Sequence, residues 1–198
     1  MDTVERLLDE HGTTYATAAG IRLADRPSPL FQLLVLTLLS SARISADVAA
    51  ASARELFEAG WRTPEKLRDA TWQQRVDALV RGGYRRYDES TSTQLEKAAS
   101  YVVDELGGDV RRLKPDDGGT EDLVAALTEV PRIGPVGAGI FVREVQDVWP
   151  QVRPFFDDRA LAEAKRLGLP TDPDELAALA PRRVARLAAA LVRSSRAA

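Results

Sequence analysis

Apolar side chains recur at intervals of three and four residues along most of the chain, which is the period of an amphipathic helix. Few segments show the alternation of apolar and polar positions that marks a half-buried strand. Gly and Pro separate the helical segments and indicate short turns between them. The pattern therefore predicts an all-α fold. Predicted helices cover residues 2–10, 30–41, 46–59, 64–69, 71–80, 92–106, 121–129, 138–148, 158–167, 173–179 and 181–193.

The predicted helix at residues 30–41 is apolar on nearly all sides, so we expect it at the centre of the helical fold. The preceding Pro27-Ser28-Pro29 predicts a boundary, and a polar turn is expected at 116–120. The apolar run is about half of what a membrane span needs, and the acidic N-terminus lacks the features of a signal peptide. We therefore expect no membrane association and a cytoplasmic location.

The chain has 198 residues, a length that fits one large domain or two small lobes around a cleft. It contains no cysteine, which excludes disulfides, thiolate zinc sites and cysteine-ligated iron–sulfur clusters. Its one histidine, His11, argues against a metal site and a Ser-His-Asp triad. The net charge of −3 gives no general attraction to nucleic acid, although residues 176–198 hold five arginines and no acid.

The segment from Leu127 to Ala138 predicts a helix end, a tight turn with Ile133 pointing inward, and a second helix that begins near Pro135. Such a turn directs the amides of residues 134–137 towards open space at a helix N-terminus. These amides can bind a phosphate without a positive side chain. Taken alone, the pattern is also typical of a plain interhelical turn.

This segment resembles the hairpin of the endonuclease III-like helix-hairpin-helix DNA glycosylases, whose pattern is Leu-Pro-Gly-Val-Gly-x-x-x-Ala. In that family a catalytic aspartate opens a helix downstream, which resembles Asp157 or its neighbour Asp158 here. Further similar segments are the first core helix and its loop (residues 29–34 and 38–43) and a Gly-x-Tyr turn at 83–84. The resemblance covers residues 25–170 and implies duplex DNA with damaged bases as the partner.

The resemblance also implies two helical lobes with a cleft between them. The first is a six-helix barrel-type lobe at residues 25–148, with the helix-hairpin-helix motif at about 121–148. The second combines residues 1–24 and 149–198 and carries the catalytic aspartate. A monomer is expected.

Asp157 is the residue expected to carry catalysis. Breaking an N-glycosidic bond builds positive charge on the deoxyribose C1′, and a nearby carboxylate stabilises that charge and orients or deprotonates water. A helix N-terminus favours negative charge, which suits this role. Capping of the helix at 158–167 is the alternative and is compatible with catalysis. Asp158 remains an alternative, because a few more residues separate the hairpin from the aspartate here than in the family. Asp157 is favoured because it places Arg166-Leu167-Gly168 in register with the family pattern.

Three departures from the family pattern matter. Val136 stands where bifunctional members have lysine and cannot form a Schiff base, so a glycosylase without strand-cleaving lyase activity is expected. Arg132 stands where the pattern has glycine; a positive φ there would cost about 1 kcal/mol, which a phosphate contact would offset. The four-cysteine cluster motif is absent, so no cofactor is expected, apart from a monovalent cation at the hairpin that the resemblance alone implies.

Other predicted DNA contacts lie upstream of the hairpin. Arg43 aligns with the loop that fills the gap left by a flipped base, or is a plain exposed loop arginine. Tyr84, Arg85 and Arg86 combine charge with stacking faces, or form a solvated turn with buried tyrosine rings. One of Phe155 and Phe156 lines a base pocket or, more simply, packs in the core. The predicted hairpin contacts are Arg132, Ile133, Gly134, Pro135, Val136 and Gly137.

Three functions remain open at this point. The first is a monofunctional DNA glycosylase of base-excision repair, and the second is an inactive module of the same fold that recognises DNA lesions or junctions. The third is a helical protein–protein adaptor whose arginine-rich last helix contacts an acidic partner. Alkylated purines, oxidised pyrimidines and uracil all remain possible substrates, because base pockets come from loops that share little pattern.

Overall fold

The structure is a computed structural model that describes residues 2–116 and 119–197. Within these ranges the regular elements are α-helices and two 3₁₀ turns, at Val110–Leu113 and Pro150–Val152, and no strand occurs. The predicted all-α fold is confirmed. Residues 117 and 118 of the predicted polar turn lie outside the described residues. The helices are α1 (Thr3–His11), α2 (Tyr15–Ala18), α3 (Pro27–Ser40), α4 (Ala46–Glu58), α5 (Pro64–Asp69), α6 (Trp72–Arg81), α7 (Asp88–Asp104), α8 (Thr120–Thr128), α9 (Pro135–Val145), α10 (Asp158–Arg166), α11 (Pro173–Ala178) and α12 (Val184–Ala197).

Several helix boundaries differ from the predicted ones. Pro27 is the first residue of α3 instead of part of a preceding linker, because proline in the first helical turn gives up only an amide that has no intrahelical acceptor. Helix α7 begins at Asp88, four residues before the predicted start. The prediction also placed no helix within residues 12–27, where α2 forms behind a Thr14 cap that accepts from the amide of Thr17.

Helix α3 lies at the centre of the fold, as its all-round apolar character predicts. It packs against α4 on one side and α9 on another, with α2 and α7 also in contact. Its buried residues are Leu30, Phe31, Leu33, Leu34, Val35, Leu36, Thr37, Leu38 and Leu39. Among the described residues, no helix combines the length and the apolar character of a membrane span.

A buried arginine joins three helices near the N-terminal half of the fold. The side chain of Arg75 in α6 is almost fully enclosed. Its Nε donates to the carbonyl and hydroxyl oxygens of Ser92, both at 3.2 Å, and its Nη1 donates to the carbonyl of Leu67 at 3.2 Å. Nη1 also donates to the carbonyl of Ala70, and Glu96 of α7 forms an ion pair with the same guanidinium. Because α6 supplies the arginine while α5 and α7 supply its acceptors, this one guanidinium fixes the relative positions of the three helices.

Helices α1, α10 and α12 pack together, and α12 also contacts α9. Arginines of the C-terminal segment join it to residues near the N-terminus. Arg183 pairs with Glu5 at 2.6 Å, and Arg186 donates to the carbonyl of Gly12 at 3.0 Å. The lobe boundaries at 24/25 and 148/149 stay a prediction.

Trp149, one of three tryptophans expected in the core, anchors the chain after α9. It is fully buried and packs on Phe141 with ring centroids 5.8 Å apart, whereas Trp72 is 40% exposed and corrects that expectation. The indole Nε1 donates to Asp25 Oδ1 at 3.0 Å, and Lys114 Nζ lies 3.1 Å from Oδ2 of the same carboxylate. Asp25 therefore joins three distant parts of the chain, and the hydrogen bond from Trp149 lowers the pKa of its carboxyl group.

We expect Asp25→Asn to lower the free energy of unfolding at pH 7 by less than about 1 kcal/mol, since asparagine keeps an acceptor for the indole and the lost ion pair with Lys114 is partly exposed to solvent. A pKa lowered in the folded state means that the unfolded chain binds more protons. The contribution of Asp25 is therefore present above the unfolded pKa of about 3.9 and disappears as the pH falls through the folded value. Urea denaturation of both proteins between neutral and acidic pH should show the difference shrinking; a difference independent of pH would contradict this.

Candidate functional site

The predicted hairpin forms between α8 and α9. The side chain of Ile133 is buried, as predicted, and its amide donates to the carbonyl of Val130 at 3.0 Å. Gly134 caps α9 without a side-chain hydrogen bond, and Pro135 is the first helical residue. Helix geometry leaves the amides of the first turn without intrahelical acceptors. Val136 is 70% exposed. This exposed helix start can accept an anion.

Arg132 adopts a φ of +69°, so the strain predicted at this non-glycine position is present. Its guanidinium lies against Gln94 of α7. With the amide oxygen of Gln94 oriented towards the arginine, it accepts from Nη2 at 3.0 Å and from Nε at 3.2 Å. This contact within the protein offsets part of the strain. Behind the turn, a Cβ on Gly137 would lie 3.4 Å from Thr37 Cγ2, so the hairpin rests closely on α3.

Asp157 is the N-cap of α10, as predicted for its structural role. Its Oδ1 accepts a hydrogen bond from the amide of Ala160 at 2.9 Å. Its side chain is 28% exposed and therefore accessible to a ligand. Asp158 is the first residue of the helix and is exposed. The two candidate carboxylates thus differ: one is held by protein contacts and the other extends into solvent.

A buried arginine, which sequence reasoning missed, holds the second oxygen of Asp157. Arg143 of α9 has a side chain only 3% exposed, and its Nη1 donates to Asp157 Oδ2 at 2.8 Å. The guanidinium carbon lies 4.8 Å from the centre of the Tyr15 ring. The available signal was the charged pair Arg143-Glu144, which directly follows the apolar run at 138–142 in the predicted helix.

Glu144 extends this charged cluster beneath the site. Its Oε1 lies 3.7 Å from Arg143 Nε, and its Oε2 accepts from the amide of Ala16 at 2.9 Å. Burial raises the pKa of Glu144, while the positive charge of Arg143 opposes that rise. Arg193 of α12 also lies over the Tyr15 ring, at 4.6 Å. The cluster therefore connects α2, α9 and α12 directly below Asp157.

An open pocket of about 520 Å³ connects the hairpin with Asp157. Val136 and Asp157, the two positions at which the family resemblance places chemistry, both line it. Arg143 lines it as well. The other lining residues are Tyr15, Ser40, Ile44, Ala46, Pro135, Gly139, Ile140, Phe155, Phe156, Asp158, Arg159, Val192 and Arg196. The wall is thus largely apolar, with a few charged groups at one end, which is typical of a small-molecule or base pocket.

Buried Gln146 holds the segment that leads into Asp157. Its Oε1 accepts from the amide of Phe155 at 2.9 Å, and its Nε2 donates to the carbonyl of Phe155 at 3.0 Å. Phe155 is partly exposed and lies near Gly139, whereas Phe156 is buried. Both rings line the pocket and Phe156 also packs in the core, while the role of the pocket in holding a base stays a prediction. Sequence reasoning gave no role to Gln146.

A second pocket, of about 440 Å³, lies on the side of the hairpin that faces α7. Tyr84 lines it, but its ring is buried and its hydroxyl donates to the carbonyl of Leu39 at 3.4 Å. This corrects the prediction of a ring that stacks on DNA, because a buried ring presents no free face. Arg85 and Arg86 are exposed, and Arg86 lies 5.3 Å from the centre of the Tyr87 ring.

Arg43 is exposed in the loop between α3 and α4. Its neighbours Ala42 and Ile44 line the second and the first pocket respectively. The loop therefore runs between the two pockets, beside the hairpin. Its predicted role at the gap left by a flipped base stays a prediction.

No three His, Cys, Asp or Glu side chains of the described residues converge as a metal site requires. A monovalent cation at the hairpin stays a prediction. The carbonyl oxygens of Val130 and Gly134 each accept a backbone hydrogen bond, at 3.0 Å and 2.9 Å. No chemical step is assigned to a cation.

No family model matches this chain, and no curated protein matches it. Two solved structures are similar over almost its whole length. One is a trapped covalent intermediate of endonuclease III with DNA, an estranged-adenine complex, with a TM-score of 0.52 and 20% identity. The other is a non-covalent endonuclease III–DNA complex, with a TM-score of 0.55 and 19% identity. In both cases the alignment covers 97% of this chain and 85% of the other. The chain therefore has the fold of endonuclease III.

Proposed function

We propose that this protein is a monofunctional DNA glycosylase, which binds duplex DNA, flips out a damaged base and hydrolyses its N-glycosidic bond. The observation that carries the proposal is the pocket shared by Val136 and Asp157. It joins a helix start suited to a DNA phosphate with a carboxylate suited to a sugar cation. The fold shared with endonuclease III, which binds DNA in both similar structures, supports DNA as the partner.

DNA binding begins at the hairpin in this proposal. The amides at the start of α9 bind a backbone phosphate, so the net charge of −3 is no obstacle. Arg43 enters the base stack where the damaged nucleotide leaves it. The extruded base then enters the pocket between Ile44, Ile140 and Phe155, whose apolar surfaces replace its stacking partners.

Hydrolysis follows from the position of Asp157. As the bond between the base and C1′ lengthens, its electron pair moves to the base and positive charge builds on the sugar. The carboxylate stabilises that charge and orients a water molecule. The water oxygen then bonds to C1′, and the hydrogen of the water goes to the departing base. The products are the free base and an abasic site.

Val136 sets the limit of this chemistry. A side chain with no amine cannot attack C1′ to give a Schiff base, so no covalent intermediate forms on the hairpin and β-elimination has no enzymatic route. The strand therefore stays intact until alkali is added. The competing possibility, a DNA-binding protein without catalysis, predicts duplex binding with no base release. A panel of duplexes bearing alkylated purines, oxidised pyrimidines or uracil, assayed with and without alkali, separates the two.

We expect Asp157→Asn to lower the single-turnover rate of base release by about 10²–10⁴-fold, because asparagine cannot stabilise the sugar cation. The amide oxygen of asparagine still caps α10, but the lost charge beside buried Arg143 should lower the melting temperature, so the rates are compared well below it. Asp158→Asn is the matched comparison, since Asp158 lines the same pocket but is exposed, whereas Asp157 is held by Ala160 and Arg143. Gel-based product analysis checks the rates. Loss of activity in Asp158→Asn with full activity in Asp157→Asn would reverse the assignment.

A second prediction concerns the strained hairpin position. Arg132→Gly and Arg132→Ala both remove the contact with Gln94, but only glycine adopts a φ of +69° without strain. We expect the glycine variant to be more stable than the alanine variant by about 1 kcal/mol in urea denaturation. Both should weaken duplex binding equally, since neither carries a guanidinium. Equal stability of the two variants would contradict the strain assigned to Arg132.

A further inference from the structure

We infer that Arg143 is a positioning residue for catalysis, which acts by fixing the orientation of the Asp157 carboxylate towards the sugar. The inference rests on the proposed role of Asp157. Arg143 touches neither sugar nor base in this scheme, and its effect passes entirely through the carboxylate.

The two carboxylate oxygens of Asp157 accept hydrogen bonds from two different helices. Capping engages only Oδ1, through the amide of Ala160, and this bond alone leaves the carboxylate plane free to rotate about the axis of the contact. The second bond, from Arg143 Nη1 to Oδ2, comes from a different helix. Two donors on separate elements, α10 and α9, therefore define the plane of the carboxylate and the lone pairs that remain for the substrate.

The side chain of Arg143 is held in place by its neighbours. Its side chain is enclosed, its flat face lies over Tyr15, and Glu144 lies beside Nε. An enclosed guanidinium with stacked and ionic neighbours cannot swing away as a surface arginine can. Arg143 therefore offers a rigid donor at a defined point on the pocket wall.

The shape of the guanidinium group explains why this position suits arginine better than lysine. A planar guanidinium donates to Asp157 at its edge while its face packs on the tyrosine ring, whereas a lysine ammonium offers a point charge and no flat face. A lysine at this position keeps a donor for the carboxylate but loses the flat contact with the ring, over which Arg193 still lies. It should thus restore part of the positioning, and a side chain with no charge should restore none.

The test compares Arg143→Met, Arg143→Lys and Arg193→Met in single-turnover base release from a duplex that wild type processes. We expect Arg143→Met to be slower by about 10²-fold, the loss typical of an ångström-scale misplacement of a reacting group. Arg143→Lys should recover part of that loss. Affinity for a duplex with a stable abasic analogue should be unchanged, which separates positioning from folding and binding.

Arg193→Met is the matched control, because it removes a cation over the same Tyr15 ring but no contact with Asp157. It should lower the melting temperature while it leaves the rate within a few fold of wild type. In an Asp157→Asn background, Arg143→Met should cause no further loss, since residues that act through one group are not additive.

The outcomes distinguish the inference from the function on which it rests. If wild type releases a base and Asp157→Asn abolishes release, the proposed function holds. Arg143→Met with a wild-type rate, or with a full additional loss in the Asp157→Asn background, would then overturn the role of Arg143 alone. A wild type that binds duplex DNA but releases no base from any lesion would overturn the proposed function, and the inference with it.

Discussion

The packing of helix α9 between α3 and α12 is the constraint on which the site depends. Its N-terminus carries the amides of the hairpin, and its last turns carry Arg143 and Glu144. Gly137 lies against α3. Helix α12 contacts both α9 and α10, the helix that Asp157 caps. One rigid element thus fixes the hairpin amides relative to Arg143, the residue that holds the Asp157 carboxylate, which loops alone would leave variable.

Beneath the pocket, oppositely charged and polar neighbours reduce the cost of burying charge. Removing Arg143 and Glu144 from water carries a cost of several kcal/mol for each ion. The ion pair with Asp157, the tyrosine ring and the amide of Ala16 offset that cost. A cluster of this kind contributes little net stability, but each member restricts the position of the others. Its value to the protein therefore lies in the geometry of the site above it.

Much of the site was predictable because it depends on local patterns. The hairpin, the inward side chain of Ile133, the positive φ at Arg132 and the cap at Asp157 all follow from residues close together in the sequence. Arg143 and Gln146 were not predictable in the same way. Both are polar residues in a predicted helix whose pattern is mainly apolar. Hydrophobic periodicity does not identify their partners, because these lie on other elements of the fold.

By itself, the sequence determined that the chain is helical, that an all-round apolar helix lies at the centre, and that the hairpin offers backbone amides without a lysine. These properties depend on periodicity, turn residues and the identity of one side chain. Only the tertiary structure decided that Tyr84 is buried and that Arg143 meets Asp157. It also decided that Arg183 and Arg186 contact residues near the N-terminus. These outcomes depend on contacts between segments that are distant in the sequence. Because the packing of whole helices determines which side chains are buried and which charges pair, the hydrophobic period of the sequence does not reveal them.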